Sequence, residues 1–600
     1  MCENAAMDEQ QHGADLPPWR RTLEDGAPYW TKNYQPGVPT EIELPTESLV
    51  SLLETAVREG GSHVATEFFG AEMTYRELGE AVARAAEGLR QLGVHAGDRV
   101  ALVLPNCPQH LIAFYAVLRL GAIVVEHNPL YTAPELEHMF TDHGARVAIA
   151  MDTTIDKLTQ MPTYVRPTAI VSVNLLKAFP RVKQVLLGLP VASLRAKRAA
   201  LTSGTKGTTS WERLLKHRPI SRRHPKPSVD DIAAIQYTSG TTGRAKGAML
   251  SHFNLYSNAR QGEAWMLGAQ PRKETSYAAL PMFHSFGVTM HLTFGVLKQA
   301  RQVLFPKPDV EMIVAEAKRR PPSIYCVVPA LYQRTAELAK KRHISLASAR
   351  WCISGAMALV EDTRELWESV SGGLLVEGYG LTEASPVALG NPFFPSRRSG
   401  TIGMPFPSTL MKVVDVDDPT REVGMNEPGE LLIKGPQVFQ GYWRNPEETA
   451  RTLIDGWLRT GDVVTVDEDG FTTIVDRKKE IIITGGFNVS PTEVETELLH
   501  HDDIADVAVV GMPTGKGDER VVAAVVLHPG ASLNNDAMRA WAKQRLAAYK
   551  VPRRFVEVDD LPRSMLGKVL RGQVKAQLVA LAPEGGWDGP AHQADAHQER

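Results

Sequence analysis

Cysteine is scarce in this 600-residue chain: Cys2, Cys107, Cys326 and Cys352 are scattered, with no C-x-x-C pair. That excludes a disulfide framework and a cysteine-built zinc site, and it fits a reducing compartment. A dominant charge is also missing, since 66 Lys+Arg against 69 Asp+Glu leave a net charge of -3. Without a global basic field, a general nucleic-acid binder is excluded. No internal repeat occurs, which disfavours solenoids and propellers. The opening MCENAAMDEQQHGAD lacks the charged-then-apolar order of a signal peptide. One long stretch, Thr275 to Leu297, is free of Asp, Glu, Lys and Arg. Its length could span a bilayer, but Pro281, His284, His291, two glycines and several hydroxyls read as buried core plus a site loop.

What is present is an ordinary globular composition, 43% hydrophobic and 22% charged. The length allows about four domains at roughly 150 residues each. Apolar strand-like runs at 99–104, 146–150 and 232–237 alternate with helical patterns such as LIAFYAVLRLGA. This alternation predicts an α/β fold with mainly parallel sheets. Residues 1–39 read as an irregular N-terminal arm, and 40–476 as one large domain of several subdomains. After Gly429 the pattern turns β-rich, with Asp467-Glu468-Asp469-Gly470 as a hairpin turn. A charged link, Asp476 to Glu480, precedes a compact, mobile α+β lid over 477–580, and 581–600 is a loose polar tail.

Residues 157–228 are locally extreme, with fifteen Lys/Arg and one acid, Glu212. Aromatics are sparse there, which argues against a base-stacking platform. Two readings stay open: an interfacial segment drawn to anionic lipid, and a solvated basic loop and helix.

The strongest local signal is Tyr237-Thr238-Ser239-Gly240-Thr241-Thr242-Gly243-Arg244-Ala245-Lys246-Gly247, directly after a predicted strand. Gly240 and Gly243 let the backbone bend toward an anion, four hydroxyls donate hydrogen bonds, and Lys246 adds charge. This is the chemistry of a phosphate cradle. It is not a Walker A loop, because the glycines are too close and no Ser/Thr follows Lys246.

Four blocks in order, YTSGTTGRAKG, EGYGLTEASP (377–386), GWLRTGDVVTVDEDGFTTIVDRKKEII (456–482) and PRSMLGKVLR (562–571), resemble the adenylate-forming superfamily of acyl-CoA synthetases, luciferases and adenylation domains. The likeness runs from about Pro39 to Leu578. NPLYTAPELEHMF (128–140), GPQVFQGYW (435–443) and GGFNVSPTEVE (485–495) are similar to bacterial long-chain fatty-acid–CoA ligases.

The residues in these blocks also have readable chemistry. A tyrosine face flanked by glycines, as in Glu377-Gly378-Tyr379-Gly380, can stack a purine. A carboxylate near a triphosphate can hold Mg²⁺ through one oxygen while phosphates supply others. The resemblance implies that Tyr379, with Glu377, Gly378, Gly380 and Gly355, meets the adenosine side. It implies that Thr382 meets phosphate, and that Glu383 with Thr238 meets Mg²⁺. It gives Asp462 the ribose hydroxyls and Arg477 the ribose-phosphate side. Lys568 becomes the adenylation lysine, acting catalytically with Thr238 and Glu383. Lys479 becomes the hinge, Gly485 and Gly486 the CoA groove, and His284 a gate on the acyl pocket.

The implied reaction joins a fatty acid to CoA through an acyl-adenylate, with ATP and CoA as co-substrates. Three rivals stay open: an acyl-adenylate ligase serving a carrier protein, an aryl or short-chain acid–CoA ligase, and a non-catalytic lipid-surface protein. The expected location is cytoplasmic, with peripheral contact at the inner face of an anionic membrane, and the expected assembly is a homodimer.

Overall fold

A computed structural model describes residues 16–199, 201–238, 245–477, 480–484, 487–513, 519–546, 549–564 and 567–581; within these, the side chains of 196, 197, 477, 483, 487 and 488 are not described. The chain forms two compact units. The first comprises Met1–Met411, Leu432–Arg459 and Asp469–Phe471. The second comprises Lys412–Leu431, Thr460–Glu468 and Thr472–Arg600. The sequence reading drew one break after 476, whereas two earlier segments group with the C-terminal unit.

The largest sheet of the first unit has seven strands. Their order is Thr209–Ser210, Ala169–Val173, Val147–Met151, Arg99–Val103, Ile123–Glu126, Ile232–Thr238 and Lys246–Ser251. All neighbours are parallel except the last pair. A parallel sheet is covered on both faces, so its central strands read as continuous apolar runs. Val100 to Leu104 are accordingly fully buried. The crossover helix Pro108–Arg119 is buried all round and begins with Pro108, whose fixed φ suits a first turn. Thr74–Glu77 and Thr132–Glu135 form capping boxes that start the helices Tyr75–Gln91 and Ala133–His143.

Two further sheets lie within this unit. One joins Thr275–Ala278, Arg301–Leu304 and Val64–Phe68 in parallel, with Ala71–Thr74 antiparallel at its edge. The other runs Cys352–Ser354, Leu375–Gly380, Val387–Gly390, Met404–Pro405. The uncharged run after Thr275 is buried: a strand, a loop, and a helical stretch that is a π-helix over Val288–Phe294. Among the described residues no helix is long and apolar enough to cross a membrane.

In the second unit, Ile504–Pro513 pairs antiparallel with Glu519–Leu527, which pairs parallel with Arg554–Glu557. Side chains alternate along a strand. Val507 and Val509 pack on one face with Val494, Leu498 and Met538. Ala508 and Val510 pack on the other with Val574 and Leu578. Helices Pro491–Leu498 and Asn535–Lys543 thus supply one layer, and Arg571–Ala580 the other. This is the α+β pattern read from the sequence.

Candidate functional site

Thr238 ends a strand of the seven-stranded sheet and pairs with Lys246 on the returning strand. In open parallel sheets ligands gather beyond the carboxyl ends of strands, and Thr238 stands at such an end. Ser239, Gly240, Thr241, Thr242 and Gly243 lie outside the described residues. Lys246 forms an ion pair with Glu448, both largely buried, and its Nζ lies 5.4 Å from the centre of the Tyr442 ring.

Tyr442 is placed by main-chain pairing. The segment 440–443 runs beside the strand Lys246–Ser251: the Trp443 N–H donates to Gly247 O at 2.7 Å, Met249 N–H to Gly441 O at 2.9 Å, and Gln440 N–H to Met249 O at 3.0 Å. The Tyr442 hydroxyl donates to Glu383 Oε1 at 2.7 Å, and the Phe439 N–H donates to the Glu383 carbonyl at 2.8 Å. Burial, with the Glu383 carboxylate beside it, pushes the Tyr442 hydroxyl well above its ordinary pKa, so it stays a donor. One ring therefore holds the cation of the turn and the carboxylate of the EGYGLTEASP block together.

Leu375–Gly380 carries the start of that block, and a single turn, Thr382–Ala384, follows it. Tyr379 is buried and pairs across the sheet with Leu389. Three glycines serve close packing. A Cβ on Gly380 would meet the Pro386 carbonyl at 2.1 Å, and one on Gly378 would meet Ile353 Cγ2 at 2.8 Å. One on Gly355 would meet Phe286 Cε1 at 3.0 Å and Gly378 O at 3.5 Å. Glu377 is buried and its carboxyl is pushed up to about 7 by that burial, against backbone N–H donors from Leu359 and Gly400.

The loop 281–287 reaches the same place. Thr382 Oγ1 lies 3.5 Å from Ser285 Oγ. His284 caps the short helix Ser285–Gly287, its Nδ1 accepting from the Phe286 N–H at 3.3 Å. Burial lowers its imidazole to about 4, so it is neutral near pH 7. Thr238, Lys246, His284, Gly355, Glu377–Gly380, Thr382 and Glu383 are thus gathered on adjoining elements of one unit.

The remaining candidates lie in the second unit. Asp462 is buried, pairs in register with Arg477 on the next strand, and its N–H donates to Thr460 Oγ1 at 3.1 Å. The Arg477 side chain is not described. Lys568 sits in a tight loop: the Ser564 N–H donates to Lys568 O at 2.7 Å, and the Lys568 N–H to Ser564 Oγ at 3.1 Å. Gly567 has φ +84°, a conformation that suits glycine at this turn. Lys479, Gly485 and Gly486 lie outside the described residues.

Sequence reasoning missed Tyr442, Glu448 and Ser285. Tyr442 lies in GPQVFQGYW, but nothing in spacing ties it to a carboxylate 59 residues earlier.

Comparisons with known proteins follow the same blocks. The AMP-binding enzyme family model matches residues 53–443, and the AMP-binding enzyme C-terminal domain model matches 493–568. A long-chain-fatty-acid–CoA ligase of Bacillus subtilis strain 168 is 36% identical over 546 residues, 90% of this chain and 96% of that protein. A feruloyl-CoA synthase of an Amycolatopsis species is 33% identical over 523 residues, 87% of this chain and 95% of that protein. The solved structure of ATP-bound MatB from Rhodopseudomonas palustris superposes with a TM-score of 0.73 at 28% identity, covering 89% of this chain and 99% of that one.

Proposed function

The chain belongs to the AMP-binding enzyme family, and from that premise we propose that this acid–CoA ligase, working through an acyl-adenylate, takes long-chain fatty acids. The likeness to the Bacillus subtilis ligase over 96% of that protein's length carries the acid class. The gathering of Lys246 and Glu383 on Tyr442 supports the nucleotide end.

Two displacements make up the reaction. A carboxylate oxygen of the fatty acid attacks the α-phosphorus of ATP, and the bond to the leaving pyrophosphate breaks. The CoA thiolate then attacks the mixed-anhydride carbonyl, and AMP leaves with the electron pair of the C–O bond. Positioning and charge neutralisation dominate such phosphoryl chemistry. The hydroxyls of 238–242 and Lys246 cradle the β,γ-phosphates, and Thr382 adds a donor. Tyr379 meets adenine, Asp462 holds the ribose diol, and Arg477 lies on the ribose-phosphate side. Lys568 neutralises the charge that grows on the α-phosphate during attack. His284, neutral at the pH of the reaction, closes the acyl side.

Among the described residues no cluster of three or more His, Cys, Asp or Glu side chains is placed to hold a metal. The Glu383 carboxylate, held by the Tyr442 hydroxyl beside Lys246, would with Thr238 be the protein's share of a Mg²⁺ site whose other ligands come from phosphate and water. When bound, it supplies neutralisation of phosphate charge.

For the second step, the link around Lys479 turns, Lys568 withdraws and the Gly485–Gly486 face brings in CoA. ATP–pyrophosphate exchange across acids from short to long chain, with aryl acids alongside and CoA added afterwards, tests this reading. Long-chain acids should lead by roughly tenfold or more in kcat/KM, since each added methylene can be discriminated. Preference for an aryl acid would replace the substrate class, in line with the feruloyl-CoA synthase likeness. Adenylate formation without thioester formation would point to a carrier-protein acceptor.

A further inference from the structure

The helix Ala133–His143 closes on Gly144, whose φ is +61°, and its last turn carries Asp142. An anion in a last turn opposes the helix dipole, which favours cations there. Helix stability therefore does not account for this residue, and its partners lie on other elements.

Asp142 is half-buried, and both its carboxylate and its carbonyl are engaged. The Tyr237 hydroxyl donates to Asp142 Oδ2 at 2.6 Å, and the Met139 carbonyl, at 3.4 Å, is the farther acceptor. Burial and the neighbouring carboxylate hold the Tyr237 hydroxyl well above its ordinary pKa, so it remains a donor. A carbonyl this close to a helix end lacks a donor in its own helix. Asp142 O accepts instead from Trp443 Nε1 at 3.3 Å and from Arg444 Nη1 at 3.1 Å.

Tyr237 and Trp443 flank the two ends of the turn 238–247. Tyr237 immediately precedes Thr238 and pairs in register with Gly247, as Thr238 pairs with Lys246. Trp443 meets the returning strand, its N–H donating to Gly247 O at 2.7 Å. A Cβ on Gly247 would lie 3.4 Å from both Tyr237 Cζ and Trp443 Cβ, so all three residues are in close contact. The Tyr237 ring is also walled by two buried histidines. The Ala145 N–H donates to His143 Nδ1 at 3.0 Å, which leaves the His143 proton on Nε2, 3.1 Å from His127 Nε2. The His127 ring lies 6.0 Å from the Tyr237 ring between centres, with 20° between their planes.

We propose that Asp142 is a positioning residue for the nucleotide's phosphates: its carboxylate ties Tyr237, at the entry of the turn 238–247, to the same helix end that its carbonyl ties to Trp443 at the exit. One residue of a third element thereby sets the spacing of the turn's two ends, and with it the stations of Thr238 and Lys246. The proposal rests on the reading of 238–247 as the phosphate cradle and holds whichever acid the ligase prefers.

Calorimetric titration of the full chain with MgATP reads the cradle directly, and pyrophosphate exchange reads the acid. Asp142→Ala and Tyr237→Phe should each weaken MgATP binding by roughly five- to tenfold, the worth of one hydrogen bond. KM for the acid that leads the exchange series should stay within about twofold, the split expected when one substrate's site alone is disturbed. The double variant should bind MgATP no more weakly than the weaker single one, because both changes remove the same bond. Asp142→Asn should recover most of the affinity, since its amide oxygen still accepts from the hydroxyl. If Asp142→Ala fails to fold, Tyr237→Phe, which loses one hydroxyl, carries the test. Parent-like MgATP affinity in Asp142→Ala or Tyr237→Phe, additive losses in the double variant, Asp142→Asn as weak as Asp142→Ala, or equal losses toward ATP and acid would overturn the proposal. Lys246→Ala separates it from the reading beneath it. Undiminished MgATP binding there would overturn the cradle and this proposal together, whereas a loss there with none in Asp142→Ala would overturn this proposal alone.

Discussion

At the residue scale, Glu377 shows how burial sets chemistry. Its carboxyl is pushed up to about 7 by desolvation, against an ordinary value of 4.5. Between those values the folded chain holds a proton that the unfolded chain releases. Stability from this group is therefore complete below about pH 4.5, falls as pH rises to about 7, and is flat beyond. Glu377→Gln removes the penalty of ionising there. We expect the variant to gain on the order of 3 kcal/mol over the parent on going from about pH 5 to about pH 8, read by urea unfolding at both values. Parallel pH profiles for the two proteins would show that the carboxyl ionises normally. The same scale explains Tyr442, which the sequence presents only as an aromatic in a loop. Its role comes from a hydroxyl that donates to Glu383 and a ring that faces Lys246.

At the element scale, the loop 281–287 is the clearest case of packing that positions a site. Gly287 has no room for a side chain, since a Cβ there would lie 1.9 Å from the Pro281 carbonyl oxygen and 3.0 Å from Met282 Cα. Backbone cannot step aside as a flexible side chain can. Gly287→Ala must therefore move the loop that carries His284, Ser285 and Phe286 against Thr382 and Gly355. The expected cost is about 1–3 kcal/mol of stability, the usual range for overpacking. Adenylate formation should fall by roughly tenfold or more, as expected when reacting groups are misplaced. Melting temperature and the initial rate of pyrophosphate exchange check the two effects together. The uncharged run beginning at Thr275 makes the same point, because it is long enough to cross a bilayer and is instead buried between the elements of this unit.

At the scale of the whole molecule, the candidate residues divide between two compact units. Lys246 and Glu383 belong to the first, Asp462 and Lys568 to the second. Lys568→Ala should slow adenylate formation by roughly 10²-fold or more, the order found when one charge-stabilising donor is removed. Thioester formation from pre-made acyl-adenylate should be nearly unchanged. Single-turnover measurement of each half-reaction distinguishes this from a general loss, and equal slowing of both would contradict a lid that exchanges Lys568 for the CoA-binding face.

The sequence alone determined whatever is written in contiguous residues. The strands at Arg99–Val103 and Ile232–Thr238 were legible because a strand buried on both faces is an unbroken apolar run. The turn at 467–470 was legible because acids and a glycine between alternating runs leave few other conformations. The family likeness was legible because the residues of each block are neighbours in the chain. Tertiary structure alone decided the rest. Lys246 meets Glu448 across 202 residues, and Tyr442 meets Glu383 across 59. It also turned Val182, Val185 and Leu186, on one face of the helix Arg181–Gly188, outward. Local periodicity records which side chains share a face, but only the packing of distant segments sets what that face meets.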